Sequence, residues 1–320
     1  MAEKKGQTDK IKELTDKLEA GIKEVFTSGR YREFLSAMNK FHSYSYNNTM
    51  LILMQKPEAS YVAGFKTWET LGRRIKKGEK GITILAPCPY KTVNYVDVVD
   101  PNTGQVKRDE QGNPMKERKK IARASFKAIA IFDISQTEGK PLPELVKELQ
   151  GEIQDYKVLM DSVKEVAPVP IRFEEWDARK KGHYDLGKKE IVIKSGMSEL
   201  QTVKTAIHET AHSILHKDQA HVKDKKTMEV QAESISYIVC QRLGLDTSDY
   251  SFGYLAGWSS NKELPELKSS LQTIQDTARE VIEQLDRAIL KNTNNLDISL
   301  AIADEPLKIP GIGDTHRHRR

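Results

Sequence analysis

Apolar residues recur every three or four positions through the first part of the chain. This spacing predicts two amphipathic helices, over residues 9–28 and 30–41, because positions three and four apart share one face of a helix. A continuous apolar block then predicts a buried helix over residues 47–55, which Pro57 ends. The apolar face of the first helix is formed by Ile11, Leu14, Leu18, Ile22 and Phe26.

Shorter apolar runs, separated by turn residues, follow this block. They predict a short helix over residues 68–72, a strand over 81–87, and two further strands over 90–99 and 121–132. The polar stretch between the last two strands contains two groups of Pro, Gly and Asn, which are turn residues. It predicts a flexible basic hairpin over about residues 100–120.

Helices dominate the pattern in the second half of the chain. They are predicted over residues 143–166, from 198 onward, over 227–243 and over 264–290, with strands over 169–173 and 190–194 on either side of a polar loop. An aromatic segment at 252–258 is expected to cover the core. The apolar stripe of the last helix favours packing within the molecule over a coiled coil.

These elements predict an α+β fold with two domains, which a chain of 320 residues can form. Residues 1–138 are expected to form a small α+β domain. Residues 139–294 are expected to form a mostly helical domain with a small sheet and a long last helix. Residues 295–320 are expected to be a disordered tail.

Charge is distributed unevenly along the chain. Residues 1–140 contain 26 Lys and Arg against 17 Asp and Glu, whereas the remainder contains 25 against 29. A basic first half suggests a polyanionic partner. No apolar run has the length of a membrane span, no secretory signal is visible, and the two cysteines form no C-x-x-C pair. These features predict a cytoplasmic protein with no membrane partner.

The second half contains the pentapeptide His-Glu-Thr-Ala-His at residues 208–212. On a helix, His208 and His212 share one face, so both imidazoles can bind one metal ion, while Glu209 can hold a water beside it. Ser198 and Gln201 resemble a capping box that would start this helix. The pattern is typical of a zinc metallopeptidase.

A third ligand is needed to complete such a site. The metzincin pattern would place a histidine at position 218, where this chain has Asp218. The next predicted helix offers Glu229 and Glu233, four residues apart on one face. We assign Glu229 as the ligand and Glu233 as the partner that orients a ligand imidazole, although the residues leave the reverse assignment open.

The expected chemistry is hydrolysis of a peptide bond. A bound Zn²⁺, one per chain, would polarise the carbonyl and lower the pKa of water, and Mn²⁺ or Co²⁺ could substitute for it. Glu209 would take the proton of the attacking water and pass it to the leaving amine. The sequence does not choose between four candidates for stabilising the oxyanion, which are His183, Tyr184, His221 and Tyr237.

The basic half combines cations with aromatic residues in the way that proteins binding single-stranded nucleic acid do, with cations near phosphates and rings stacked on bases. Further basic residues follow in the predicted hairpin. The predicted DNA-binding residues are Lys66, Trp68, Arg73, Arg74, Lys76, Lys77 and Lys80.

Several short motifs in this half resemble the N-terminal domain of ArdC-type antirestriction proteins. They are Asn48-Thr49-Met50-Leu51-Ile52, Gln55-Lys56-Pro57, Gly64-Phe65-Lys66-Thr67-Trp68, Leu71-Gly72-Arg73 and Lys77-Gly78-Glu79-Lys80-Gly81. The second half is similar to the same family through the pentapeptide and Glu229-Val230-Gln231-Ala232-Glu233. That pattern is also similar to ImmA/IrrE-type peptidases, which favours Glu229 as the ligand.

The resemblance spans about residues 8–260. It implies a single-stranded-DNA-binding domain followed by a zincin-like metallopeptidase domain, with an unknown protein substrate, in a protein of a mobile element that protects DNA from restriction. DNA-mimic inhibitors need a strongly acidic surface, so the net charge of +5 argues against that mechanism. Two alternatives stay open: a DNA-binding protein with a structural or vestigial metal site and no peptidase activity, and a peptidase regulator whose basic half binds a protein or nothing.

Overall fold

The computed structural model describes residues 2–27, 30–101, 103–123, 125–142, 156–176, 180–215, 224–250, 252–253 and 255–293. The predicted tail and the first part of the helix predicted over 143–166 lie outside these residues. Helices and sheets are both present, which confirms the predicted α+β class.

Three helices open the fold: α1 (Ala2–Thr27), α2 (Tyr31–Lys40) and α3 (Tyr46–Gln55). They confirm the three helices that the apolar spacing predicts. The third begins where the Ser45 side chain accepts a hydrogen bond from the Asn48 amide, and its apolar block is buried.

A three-stranded antiparallel sheet and two strand pairs follow. The strands are β1 (Val62–Gly64), β2 (Arg73–Ile75), β3 (Ile82–Pro87), β4 (Tyr90–Asp97), β5 (Lys116–Arg123), β6 (Phe126–Asp133) and β7 (Thr137–Gly139). The sheet has the order β1-β6-β3, while β2 pairs with β7 and β4 pairs with β5. Helix α4 (Phe65–Thr70) follows β1 directly, so the predicted short helix starts three residues earlier than expected.

The prediction of a single strand over residues 121–132 is wrong. Strand β5 already begins at Lys116 and pairs with β4, whereas β6 turns into the three-stranded sheet. Residues 116–120 are polar and have no buried face, so their sequence does not indicate a strand. Backbone hydrogen bonds to the neighbouring strand stabilise it instead. The predicted hairpin is present, and backbone hydrogen bonds between Val98, Lys107 and Met115 extend it beyond the strands.

The second half continues with α5 (Tyr156–Val166) and the strands β8 (Ile171–Glu174), β9 (Gly182–Asp185) and β10 (Glu190–Lys194). Strand β10 is central, parallel to β8 and antiparallel to β9. The polar loop predicted here is therefore partly wrong, because it contains β9. Only four residues long and poor in apolar side chains, β9 exists through its pairing with β10.

Four helices complete the described fold: α6 (Glu199–Leu215), α7 (Lys225–Arg242), α8 (Leu255–Ser259) and α9 (Leu264–Asn292). The apolar stripe of α9 is buried within the molecule, as predicted, and Trp258 of the aromatic segment is buried as well. None of the described helices is both long and apolar enough to span a bilayer.

Buried residues from both halves of the chain form one contiguous core. At this contact the Tyr31 hydroxyl of α2 lies 2.8 Å from the Ser234 hydroxyl of α7, and Lys268 of α9 pairs with Glu19 of α1 at 2.7 Å. The first three helices therefore support the helices that bear the histidines and glutamates. The predicted boundary at residue 138 falls inside β7, and the division into two domains stays a prediction.

Candidate metal centre

Helix α6 holds both histidines at the edge of its buried face. The helix is capped by Ser198, whose hydroxyl accepts a hydrogen bond from the Gln201 amide at 3.3 Å. The His208 and His212 side chains are 22% and 11% exposed, and their Nε2 atoms lie 3.1 Å apart. Two nitrogens bound to one tetrahedral zinc are separated by about 3.3 Å, so the rings are spaced for a shared ion.

Helix α7 brings Glu229 to the same point. Its carboxylate oxygens lie 3.7 Å from His208 Nε2 and 3.6 Å from His212 Nε2. The three residues each offer one ligand atom, and these atoms lie within 4.8 Å of one another. Two imidazoles and one carboxylate suit a divalent transition metal, and the described residues therefore contain a candidate site for such an ion.

Glu233 lies one turn further along α7 and contacts the other nitrogen of His208. Its carboxylate is 3.3 Å from His208 Nδ1. A hydrogen bond donated by Nδ1 leaves the lone pair of the neutral ring on Nε2, the atom that faces His212 and Glu229. Burial alone would lower the pKa of His208, but the hydrogen bond to Glu233 and the charges of nearby glutamates outweigh it and raise the pKa above its usual value.

The start of α7 is fixed by Asp224, five residues before Glu229. The Asp224 side chain accepts hydrogen bonds from the Lys226 and Thr227 amides and lies 2.7 Å from the Lys262 ammonium. The Lys262 ammonium and the hydrogen bonds from Thr227 hold the pKa of Asp224 well below its usual range. This cap orients the turn from which Glu229 reaches the histidines.

Glu209 is buried on the side of α6 that faces the edge strand β9. Gly182 is the strand residue that allows this approach: a Cβ built there would lie 2.6 Å from Thr205 Cγ2 and 3.3 Å from Glu209 Cγ. The strand backbone thus approaches the helix where the proposed base lies. Gly182 was not among the residues predicted from the sequence, where its only signal is a glycine at the start of a short polar and aromatic alternation.

The candidates for oxyanion stabilisation fall in different places. Tyr184 shares a strand face with Gly182 and therefore points toward α6. His183 points to the opposite face, where its ring lies 5.8 Å from that of Trp176. Tyr237 is buried and its hydroxyl contacts Ser36 and Gln241, so it is a packing residue. His221 lies outside the described residues.

The first part of the chain matches a known domain family. Residues 5–132 match the sequence model of the N-terminal domain of anti-restriction factor ArdC. These residues form an ArdC-type N-terminal domain. The match confirms the resemblance seen in the short motifs.

Similarity to a second protein extends further along the chain. An uncharacterized Bacillus anthracis protein, pXO2-81, is 30% identical over 308 residues, or 88% of this chain. The chain spans about half (52%) of the length of that curated relative.

Two crystal structures of the antirestriction ArdC protein from plasmid R388 are also similar. The metal-free structure has 22% identity and a TM-score of 0.44, covering 78% of this chain and 85% of that one. The Mn(II)-bound structure has 19% identity and a TM-score of 0.43, covering 78% and 84%.

Two of the predicted DNA-binding residues serve the packing of the ArdC-type domain. Trp68 is 0% exposed and its indole N–H donates to the Phe132 carbonyl at 3.0 Å, so the prediction that it stacks on DNA bases is wrong. Arg73 is half-buried: its guanidinium donates to Thr137 Oγ1 at 2.8 Å and lies 6.0 Å from the Trp68 ring. The motif around these residues thus stabilises the junction of α4, β2 and β7.

The other predicted cations are exposed on the ArdC-type domain. Arg74 is 81% exposed beside Glu138, and the Lys76 ammonium donates to the Ser135 carbonyl. Lys66, Lys77 and Lys80 are exposed as well, and whether any of the five contacts DNA stays a prediction. Several aromatic residues outside the predicted set of DNA-binding residues also reach solvent. They include Phe65 (53% exposed), Tyr95 (69%) and Phe126 (51%).

Proposed function

We propose that this chain is an antirestriction protein of a mobile element that binds single-stranded DNA through its ArdC-type domain and hydrolyses a peptide bond at the metal centre. The observation that supports the hydrolase most is the convergence of His208, His212 and Glu229 from two helices, with Glu209 buried beside them. The match of residues 5–132 to the ArdC N-terminal domain supports the antirestriction role.

Each residue of the centre has a separate task in this proposal. His208, His212 and Glu229 hold the metal, and Glu233 fixes the orientation of the His208 ring through Nδ1. A bound divalent ion supplies Lewis acidity and lowers the pKa of water. Glu209 accepts the proton of the attacking water and donates it to the leaving amine. Zinc is the default ion for two imidazoles and a carboxylate, and Mn²⁺ or Co²⁺ are the alternatives.

The DNA-binding part of the proposal rests on charge and exposure. Lys66, Arg74, Lys76, Lys77 and Lys80 lie at the surface of a domain that belongs to a half of the chain with a net charge of +9. Phosphate contacts by such cations make binding strongly dependent on salt. A labelled oligonucleotide should therefore bind at low salt and dissociate as salt is added.

A second candidate is a DNA-binding protein whose metal is structural. It is favoured by the placement of the ligands, because an ion held by His208, His212 and Glu229 ties α6 to α7 even without chemistry. The variant Glu209→Gln separates the two candidates, since it keeps all three ligands. If this variant protects incoming DNA from restriction as well as the parent does, hydrolysis is not part of the function.

The hydrolase itself is tested with a proteolysis screen of host lysate, with and without single-stranded DNA. Fragments that appear with the parent protein and are missing with Glu209→Gln identify the substrate. Equal fragment patterns for the two proteins would reject the peptidase and leave the structural-metal candidate.

A further inference from the structure

The hairpin of β4 and β5 is a two-stranded ribbon with its own surface. Eight residues of each strand pair in antiparallel register, from Tyr90 opposite Arg123 to Asp97 opposite Lys116. Among the described residues, no third strand joins this pair. An isolated two-stranded hairpin is only marginally stable in water, so a partner that covers one face of this ribbon would stabilise it.

One face of the ribbon is basic and aromatic. Residues directly opposite each other share a face, which groups the pairs Val93–Lys120, Tyr95–Arg118 and Asp97–Lys116. Tyr95 is 69% exposed, the most exposed of the large apolar and aromatic side chains in the described chain. The Lys116, Arg118 and Lys120 side chains are also exposed and flank it along the neighbouring strand.

Asp97 is the one acidic residue of the two paired strands on this face, and it can offset only one of the three charges of Lys116, Arg118 and Lys120. Asp100 is 3.8 Å from Lys107, and Asp109 accepts hydrogen bonds from the Gln111 and Asn113 amides within the terminal turn. Glu117 lies on the opposite face of the ribbon, across from Val96. Within the described part of the chain, no carboxylate forms an ion pair with Arg118 or Lys120. The face therefore keeps a net positive charge that can attract an anion.

We infer that this face is a binding surface for single-stranded DNA, with Tyr95 stacked on a base and Lys116, Arg118 and Lys120 next to phosphates. The inference deepens the proposed function, because it names a surface for the DNA that the ArdC-type domain is proposed to bind. Cations that follow the backbone, with an exposed ring among them, are the combination that holds single strands without reading their sequence. A two-stranded ribbon can also enter the major groove of a duplex, which is the competing occupant.

The test compares two triple variants with the parent protein in fluorescence titrations of labelled oligothymidylate over a salt series. Lys116→Gln/Arg118→Gln/Lys120→Gln removes three charges from the ribbon face. Lys12→Gln/Lys23→Gln/Arg287→Gln removes three exposed charges from α1 and α9 as a matched control. The ribbon variant should weaken binding and reduce the slope of log K against log salt by about 2, at about 0.7 per phosphate contact. The control should leave the slope unchanged.

Tyr95→Ala tests stacking separately from charge and keeps the cations in place. It should weaken binding about tenfold, within the range measured for one stacked base, with the salt slope unchanged. Parent-like affinity and slope in the ribbon variant would overturn the inference while leaving the proposed function intact. A ribbon variant that loses duplex binding alone would overturn the choice of single-stranded DNA. Absence of binding by the parent at low salt would overturn both the inference and the proposed DNA binding.

Discussion

The side-chain amide of Asn48 binds both backbone groups of Leu85, donating to its carbonyl and accepting from its N–H, each at 2.9 Å. Gln55, two turns along α3, makes the same pair of contacts with Thr83 at 2.8 and 2.9 Å. The two amides occupy the outer edge of β3, where no other described strand pairs. They protect an edge that would otherwise be open to a foreign strand.

Asn48→Ala should destabilise the protein by about 2 kcal/mol, because it removes two hydrogen bonds and leaves the Leu85 groups without their partners in a partly buried position. Gln55→Ala is the matched control, and it should cost less than about 1 kcal/mol because water can reach the exposed Gln55 site. Urea denaturation gives both free energies of unfolding. Equal losses of unfolding free energy in the two variants would show that burial does not determine how much these hydrogen bonds stabilise the edge of β3.

His208→Ala should abolish metal binding, whereas His183→Ala should retain it. Elemental analysis of the purified parent should give about one divalent ion per chain, as expected for a single site with two imidazoles and a carboxylate. His183 is a suitable control because it stands on the face of β9 that turns away from α6. A parent protein free of metal after purification and reloading would contradict the site, as would a His208→Ala variant that keeps its ion.

Gly182→Ala should destabilise the contact between β9 and α6. The added methyl group would lie 2.6 Å from Thr205 Cγ2 and 3.2 Å from the Val192 carbonyl oxygen, so strand or helix must shift, at a cost of about 1–3 kcal/mol. Gly187→Ala is the control, since the nearest atom to its methyl group would be Asp185 Oδ1 at 3.4 Å. Thermal denaturation should show a lower melting temperature for Gly182→Ala only. A decrease of equal size in both variants would contradict the prediction.

Asp224→Asn should change how stability depends on pH. The pKa of Asp224 is lowered in the folded chain by the Lys262 ammonium and Thr227, so its contribution is present above the unfolded value of 3.8 and is lost as pH falls below it. The parent should lose unfolding free energy more steeply than the variant between about pH 5 and about pH 3, measured by urea denaturation with a chelator present to exclude metal effects. Parallel profiles of unfolding free energy against pH would show that the Asp224 carboxylate does not contribute to stability.

Asp224→Ala should weaken metal binding, because it removes the cap that fixes the turn presenting Glu229. Competition with a chelator should show a lower affinity in Asp224→Ala than in the parent. Lys262→Gln removes the ion pairs with Asp224 and Glu266 but keeps the hydrogen bonds from the Lys226 and Thr227 amides to Asp224, so its effect should be smaller. Unchanged metal affinity in both variants would show that the Asp224 cap does not position Glu229 for metal binding.

The pattern of apolar positions predicted the long helices, with the largest error at the start of α1, which begins at Ala2 instead of residue 9. Helix α6 starts at Glu199, directly after Ser198, and α9 is amphipathic with its apolar stripe buried. Local periodicity is sufficient for such elements because each buries one continuous face. It was insufficient for β5 and β9, whose residues form strands only because a partner strand supplies backbone hydrogen bonds.

The sequence by itself determined which residue types the candidate site has and how they are spaced, because i and i+4 positions on one helix must share a face. Only the tertiary structure decided that Glu229 faces both histidine Nε2 atoms while Glu233 faces Nδ1 of His208, since this depends on how α7 packs against α6. It also decided that Trp68 is buried whereas Tyr95 is exposed. An aromatic residue among lysines looks the same in sequence whether its ring meets the core or the solvent, and only the packing of distant segments separates the two.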